Sequence, residues 1–243
     1  MKMNILIFVV FVCCVHAREL PKFLQPFKCS TKKNVENCIV NNGNKAIPLV
    51  AEGIPDYKVP KMNPLLVPFA QLISTPTLGL NMTNVKIHNL GNMKLSHVKF
   101  NWQTNIFAFD LRCKSIKIEG EYSVNGKIMV LPMKGNGPFE IYLNDGMYNL
   151  TISGTISKRN GDKYFHIEET RMNYHFDNVK FQFNNLFDGN KQLGDEMNKF
   201  LNENWEPLLA DFGPGISKTI SSIIAGFMQV LLNQIPHSEI FLD

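Results

Sequence analysis

The feature that most constrains this chain is an apolar stripe near its carboxyl end. Between residues 186 and 235, large apolar side chains recur every three or four positions, the spacing that places them on one helical face. At about 1.5 Å of rise per residue, an unbroken helix of this kind would be roughly 60 Å long, so another part of the chain must cover it. The stripe consists of Leu193, Met197, Phe200, Leu201, Trp205, Leu208, Leu209, Phe212, Ile216, Ile220, Ile223, Ile224, Phe227, Met228, Leu231, Leu232 and Ile235.

Two proline sites interrupt this stripe. Pro207 and Gly213-Pro214-Gly215 can each kink or split a helix, because proline lacks the N–H donor and its ring clashes with the preceding turn. The stripe keeps its phase across both sites. The sequence therefore predicts one bent helix or two helices placed end to end.

The central part of the chain, residues 80–187, has a period of two. Alternating apolar and polar residues predict strands with one apolar face. Asn125-Gly126, Asn144-Asp145-Gly146 and Asn160-Gly161-Asp162 lie between these runs and are typical of hairpin turns, and Gly135-Asn136-Gly137 is also interpreted as a turn. We expect an antiparallel meander of about six to eight strands.

The region before the strands is less regular. A helical stripe begins after Ser30, and Asn41-Asn42-Gly43-Asn44 in its middle predicts two short helices. Pro55, Pro60 and Pro64 follow, which predicts a crossing segment without a long regular element.

These two halves can cover each other. A sheet with one apolar face can bury a helical stripe, and a strongly twisted sheet can curl around a helix. The predicted fold class is therefore α+β, with a long C-terminal helix wrapped by a strongly curved antiparallel β-sheet.

Residues 1–17 have the layout of a secretory signal peptide. Lys2 precedes an apolar run that is too short to cross a membrane, and Val15-His16-Ala17 ends it with a small residue. We predict cleavage after Ala17, which leaves residues 18–243 as a single secreted, extracellular domain.

The predicted secretion allows inferences about the cysteines and about two glycosylation sequons. In an oxidising compartment Cys29 and Cys38 are the natural disulfide pair, which leaves Cys113 as either a buried thiol on a strand or a covalent link to a partner. Sequons predict glycosylation of Asn81 and Asn149.

Several functional classes lack support. The 25 basic and 21 acidic residues form no long runs, so nucleic acid is not an expected partner. Neither a Gly-x-Ser-x-Gly elbow nor a His-Glu-x-x-His zinc motif occurs, so no enzyme, catalytic residue, metal or cofactor is predicted.

The C-terminal apolar run is interrupted by Ser221, Ser222, Gln229 and Asn233, which favours a sheet-covered helix over stable membrane insertion. An interfacial helix is the alternative if the sheet leaves one side open.

Phenylalanine, which is large, and methionine, which is flexible, are frequent among the apolar residues: the chain has 18 Phe and 11 Met. Such side chains can fill a core, and they also line pockets that accept apolar ligands of loose shape. Composition leaves both interpretations open.

Short segments spread over nearly the whole mature chain resemble the takeout and juvenile hormone binding protein family of insects. They follow the secretory leader and the Cys29 and Cys38 pair in the family's order. The segments are residues 46–55 (AIPLVAEGIP), 63–65 (NPL), 120–127 (GEYSVNGK), 131–137 (LPMKGNG), 185–190 (NLFDGN) and 201–205 (LNENW), and Ile235-Pro236.

This resemblance implies a tubular lipid-binding fold in which the sheet and helix enclose an apolar tunnel for a lipid-like ligand. Hormone carriers of the family have a second cysteine pair, whereas this chain has only Cys113 to spare, so it is more similar to the takeout branch.

The functional hypothesis is a secreted carrier that binds a hydrophobic small molecule without catalysis. The ligand classes are a terpenoid hormone such as juvenile hormone, a fatty acid or a related lipid. The main alternative is an extracellular interaction protein with a filled core that contacts a membrane or a receptor, and a third is an enzyme acting on lipid esters. The sequence identifies no receptor.

The predicted site has an apolar lining and a few groups that orient a polar head. Tyr122, Tyr142, Tyr174 and Trp102 join an apolar body to a hydrogen-bonding tip, so they are the candidates for the head group. The predicted lining is Phe100, Trp102, Phe109, Leu111, Phe181, Phe183, Trp205, Phe212, Ile220, Phe227 and Leu231.

Overall fold

A curved, open antiparallel sheet dominates the molecule. The computed structural model describes residues 18–74, 76–129 and 131–242, without the side chains of Leu72, Ser74 and Phe212, so the predicted signal peptide lies outside the described residues. Within those ranges seven strands form one sheet: β1 (Leu65–Ser74), β2 (Leu78–His88), β3 (Lys94–Asn101), β4 (Ile106–Ile128), β5 (Leu131–Arg159), β6 (Asp162–His175) and β7 (Asn178–Phe183). Four α-helices accompany it in the described ranges: α1 (Val35–Ala51), α2 (Lys191–Glu203), α3 (Trp205–Leu232) and α4 (His237–Ile240).

The strand order is β1-β2-β4-β5-β6, with β3 paired to one half of β4 and β7 to one half of β5. All pairs are antiparallel. This confirms the predicted α+β class and the curved antiparallel sheet.

Two very long strands form the centre of the sheet. β4 has 23 residues and β5 has 29, and they pair from Ile106 opposite Ser153 to Ile128 opposite Leu131. Three predicted turns are therefore wrong, because Asn125-Gly126, Gly135-Asn136-Gly137 and Asn144-Asp145-Gly146 all lie inside these strands. Asn160-Gly161 is a true two-residue turn between β5 and β6, and both of its residues have positive φ.

Gly135 has a packing role in place of a turn role. The chain after β7 crosses β5 there, and Leu186 forms a β-bridge with Gly135. A Cβ atom at Gly135 would lie 3.0 Å from the Leu186 Cα and the Asn185 carbonyl oxygen. Glycine therefore permits a close crossing of two backbones.

Strand β1 was not predicted, because Pro55, Pro60 and Pro64 before it indicated an irregular crossing segment; the strand itself contains Pro68. The strand lies at the edge of the sheet, where proline is tolerated because the missing N–H removes no ladder hydrogen bond.

The predicted break in α1 is also wrong. Gly43 packs closely on Leu95 of β3, since a Cβ atom at Gly43 would lie 3.0 Å from the Leu95 Cδ2. Asn44 accepts from the Leu95 N–H at 2.9 Å and donates to the Leu95 carbonyl at 2.8 Å. Contacts with β3 therefore explain why residues that favour turns occur within one continuous helix.

The C-terminal stripe forms two helices end to end, but the break differs from the predicted positions. It falls at Asn204, between α2 and α3. Pro207 lies in the first turn of α3, where N–H groups have no acceptor within the helix, and α3 continues through Pro214.

Helix α3 bridges the open sheet, because it packs against both edge strands of the main order, β1 and β6. Its segment Gly213–Leu232 is long and apolar enough to cross a membrane, with a mean hydropathy of 1.4, but only 11% of the residues in its most apolar stretch are buried. The helix is therefore a partly exposed wall rather than an enclosed core element.

Amide side chains attach the helices to exposed strand edges. Asn198 of α2 accepts from the Phe183 N–H and donates to the Phe183 carbonyl, each at 2.8 Å. One helical turn later, Asn202 makes the same pair of bonds to Phe181, at 2.8 and 2.9 Å. Both asparagines thus act like a neighbouring strand and satisfy the free edge of β7.

Gln229 of α3 has the same role at β6. Its Oε1 accepts from the Ile167 N–H at 2.6 Å, and its Nε2 donates to the Phe165 carbonyl at 3.3 Å. Helices α1, α2 and α3 are therefore each bonded to a different strand of the sheet through an amide.

A charged network lies on the outer face of the sheet. Lys117 Nζ is 2.8 Å from Glu119 Oε2 and 2.6 Å from Glu140 Oε1, and His88 Nε2 is 3.0 Å from Glu119 Oε1. A hydrogen bond from Lys117 lowers the pKa of both Glu119 and Glu140. A bond from His88 lowers the pKa of Glu119 further, and one from Tyr142 lowers that of Glu140. The side chains remain roughly a third exposed, so solvent weakens the network.

We expect Asn198→Ala to lower the free energy of unfolding by about 1–3 kcal/mol, because the Phe183 N–H and carbonyl lose their partner. Alanine is the better helix former, so helix propensity works against this loss. Lys199→Ala, at the exposed neighbouring position, is the control and should stay within about 0.5 kcal/mol of wild type. Denaturant unfolding measures both, and equal stability of the two variants would contradict the edge-capping role.

We also expect the network around Lys117 to stabilise the fold only above acidic pH. Both glutamates have a lower pKa in the folded protein than their ordinary value of 4.5. Their contribution is therefore complete above that value and is lost as the pH falls through the lower folded pKa values. The difference in unfolding free energy between wild type and Lys117→Met should shrink on acidification, whereas Lys114→Met should give a small, constant difference. A Lys117→Met difference that does not change with pH would refute this account.

Candidate functional site

The candidate site is the apolar space between the concave face of the sheet and α3. The core contains buried residues of β2, β4, β5, β6 and β7, and a second set of apolar side chains packs on it while keeping accessible surface. A side chain that contacts a core and still keeps accessible surface borders unfilled space or solvent, as the wall of a cavity does. On α3 this set includes Ile220, Ile224 and Met228, which follow the helical spacing of the stripe.

Aromatic rings line the interior in three groups. At one end Phe100 stacks on Trp102 and contacts Phe107 and Phe109 edge to face. In the middle Tyr148, Tyr174 and Phe176 pack together, and at the far end Phe183 packs with Tyr122, Phe139 and Phe181. At about 3.3 Å per strand residue, positions 107 and 122 of β4 are roughly 50 Å apart when measured along the strand.

Most of the predicted lining lies on this concave face or on α3. Phe183 is buried, and Trp102 is 37% exposed at the first end. The side chain of Phe212 falls outside the described part of the chain. The half-buried members are Phe100, Phe109, Leu111, Phe181, Trp205, Ile220, Phe227 and Leu231.

The four predicted head-group residues occupy different environments. The Tyr122 hydroxyl donates to the Asn184 carbonyl at 2.7 Å, and burial raises its pKa to about 12. The Tyr142 hydroxyl donates to Glu140 at 2.9 Å within the outer charged network, so this residue does not face the interior. Tyr174 is half-buried in the middle aromatic group, where burial raises its pKa.

The sequence interpretation missed one polar group in the interior. Tyr148 is 7% exposed, and in the described part of the structure its buried hydroxyl has no hydrogen-bond partner. Burial raises its pKa, so the phenol stays protonated and can donate. A sequence signal for Tyr148 was available. Tyr148, Leu150 and Ile152 occupy every second position of one strand, so their side chains point to the same buried face.

The structure pairs two of the cysteines as predicted, and the third is a buried thiol on a strand, one of the two alternatives for it. Cys29 and Cys38 form a disulfide with a Cα–Cα distance of 5.9 Å, which joins the segment before α1 to its first turn. Cys113 is a buried free thiol whose pKa is raised by burial. Within the described ranges no cluster of three His, Cys, Asp or Glu side chains could hold a metal ion.

A curved sheet, a helix across its open side and an apolar interior define the class of this protein as an α+β fold of the tubular lipid-binding type. The chain belongs to the haemolymph juvenile hormone binding protein family, whose sequence profile matches residues 5–242. The resemblance found in the sequence is therefore confirmed.

Individual relatives agree with this assignment. The chain is 26% identical to the circadian clock-controlled protein daywake of Drosophila melanogaster over 94% of this chain and 91% of that protein. Daywake of Drosophila yakuba is 25% identical over 90% and 88%. The crystal structure of Epiphyas postvittana Takeout 1 matches with a TM-score of 0.80 and 25% identity, over 88% of this chain and 98% of that one.

Proposed function

We propose that this protein is a secreted, non-catalytic carrier that holds a hydrophobic small molecule between the concave sheet and α3. The ligand classes that fit are a terpenoid such as juvenile hormone, a fatty acid or a related lipid. The observation that carries the proposal is the set of apolar side chains that contact the core yet keep accessible surface along both walls.

Affinity would come mainly from removing apolar ligand surface from water. At about 25 cal/mol per Å², a ligand burying roughly 400 Å² gains about 10 kcal/mol before ordering costs. Flexible methionines such as Met172 and Met228 and the three aromatic groups adapt to ligands of different shape. Such a lining selects for length and apolarity.

One polar contact would orient the ligand. The Tyr148 hydroxyl is a buried donor that lacks a partner in the described structure, so a carbonyl, carboxyl or epoxide oxygen could accept its hydrogen bond. Tyr122, in contrast, already uses its hydroxyl on the backbone.

Secretion is part of the proposal and rests on the predicted leader, the Cys29–Cys38 disulfide and the family's description as haemolymph proteins. Glycosylation is proposed for the sequons. Asn149 is exposed on β5, whereas the Asn81 Oδ1 is buried, so Asn149 is the more accessible site.

The carrier function predicts that organic extraction of the natively secreted protein releases a lipid detectable by mass spectrometry, and that a fluorescent fatty acid binds the emptied protein. Ile224→Trp, which adds bulk on the inner side of α3, should weaken probe binding roughly tenfold. Gly226→Trp is the matched control, since a Cβ atom there meets nothing within 4 Å. Absence of both lipid and probe binding would favour the interaction protein with a filled core.

The orienting role predicts that Tyr148→Phe weakens binding of a fatty acid probe about fivefold to tenfold, the loss of one buried hydrogen bond. Binding of an alkane of the same length should not change. The empty variant should be at least as stable as wild type in thermal unfolding, because an unpaired buried hydroxyl has been removed. Equal weakening of both ligands would show that Tyr148 acts through packing alone.

A further inference from the structure

We propose that the seam between β1 and α3 docks on the surface of a lipid bilayer containing anionic lipids, where the protein exchanges its ligand. This inference rests on the proposed carrier function. The β1–α3 seam is defined here as Leu66 and Phe69 of β1 together with Lys218, Ser222 and Ile223 of α3.

The outer face of β1 carries two large apolar side chains in solvent. Leu66 is 63% exposed and Phe69 is 59% exposed. Their cross-strand partners on β2, Lys86 and Thr83, are exposed as well, so all four side chains lie on the outer face of the sheet. Exposed aromatic and aliphatic side chains at a strand edge are costly in water and suit the boundary between headgroups and acyl chains.

A groove runs along the seam beside Phe69. It has a volume of about 480 Å³, and its walls are residues 69–71 of β1 and Lys218, Thr219, Ser222 and Ile223 of α3. On the same helix Ile220 and Ile224 pack on the core, so the groove and the interior lie on opposite sides of one thin wall. A ligand moving between membrane and interior would need only this wall to open.

In the described residues, the seam lacks the amide hydrogen bonds that join helices to other strand edges. Gln229 ties α3 to β6, and Asn198 and Asn202 tie α2 to β7. Among the hydrogen bonds of the described residues, none joins α3 to β1. In this part of the structure the described residues of β1 and α3 meet through side-chain packing, so separating them breaks no hydrogen bond between those residues.

The charge of the seam matches an anionic surface. Lys218 is the charged residue of the groove, and Lys86 lies beside Leu66. Carboxylates on the same outer face, Glu119 and Glu121, lie on β4, two strands from Leu66 and Phe69, and Glu119 is paired with Lys117. Basic side chains that flank inserted apolar residues strengthen binding to anionic headgroups.

The test is co-sedimentation of the purified protein with vesicles of phosphatidylcholine, with and without phosphatidylserine. Wild type should bind both and should favour the anionic vesicles. Phe69→Ser should lower the vesicle partition coefficient roughly tenfold on both, because an inserted ring is lost. Lys218→Glu should lower it about fivefold only where phosphatidylserine is present.

The matched control is Leu193→Ser on α2, which removes a side chain that is 46% exposed outside the seam. It should bind vesicles like wild type. The proposal fails if wild type does not sediment with either vesicle, or if Phe69→Ser binds as well as Leu193→Ser. It also fails if sedimentation velocity finds a wild-type dimer that Phe69→Ser dissociates, since the seam would then be an interface between two copies.

A second measurement separates docking from the carrier function. Without vesicles, Phe69→Ser should bind the fluorescent fatty acid like wild type, but it should transfer the probe to phosphatidylserine vesicles several-fold more slowly. Vesicle binding by a protein that never binds the probe would contradict the carrier function alone. Probe binding without vesicle binding would contradict the docking alone.

Discussion

The structure depends on how an open sheet satisfies its exposed edges. A sheet that curls without closing leaves free backbone N–H and C=O groups, and each costs free energy if it is buried without a partner. Here Asn44, Asn198, Asn202 and Gln229 bind these groups from neighbouring helices. Each amide carries a donor and an acceptor, so one side chain can replace the peptide group of a missing strand.

The proposed carrier function requires an interior that is not completely filled, and this arrangement permits one. The long β4–β5 ladder and the amide bonds at strand edges hold the shell in addition to the packing of its buried core. Unfilled space in a core normally lowers stability, so a protein that keeps such space must compensate with other interactions. Directional hydrogen bonds fix the spacing between α2 and β7 where packing alone would let the walls approach.

The sequence predicted the elements whose signal is periodic. The stripe of α2 and α3 and the alternation over residues 80–187 have clear periods, so the α+β class and the pairing of a C-terminal helix with a curved antiparallel sheet followed. Local turn chemistry failed where tertiary contacts use the same residues: Gly135 allows a backbone crossing, and Asn44 binds β3. For the site, alternation identified apolar residues such as Phe109 but could not separate Tyr142 on the outer face from Tyr148 inside. That distinction depends on which strand face turns inward, and on partners distant in sequence.

The contrast between the two edges of the sheet connects architecture to function. Edge β6 is bonded to α3 through Gln229, whereas the edge of β1 contains Pro68, contacts α3 by packing and exposes Leu66 and Phe69. Local opening needs the least free energy where few hydrogen bonds and few buried contacts must be broken. A carrier needs one such place, because a ligand held in an apolar interior must leave through the wall. Since the opened wall would expose apolar surface, the opening is least costly against a medium that is itself apolar, and the exposed side chains of β1 lie where that medium would be met.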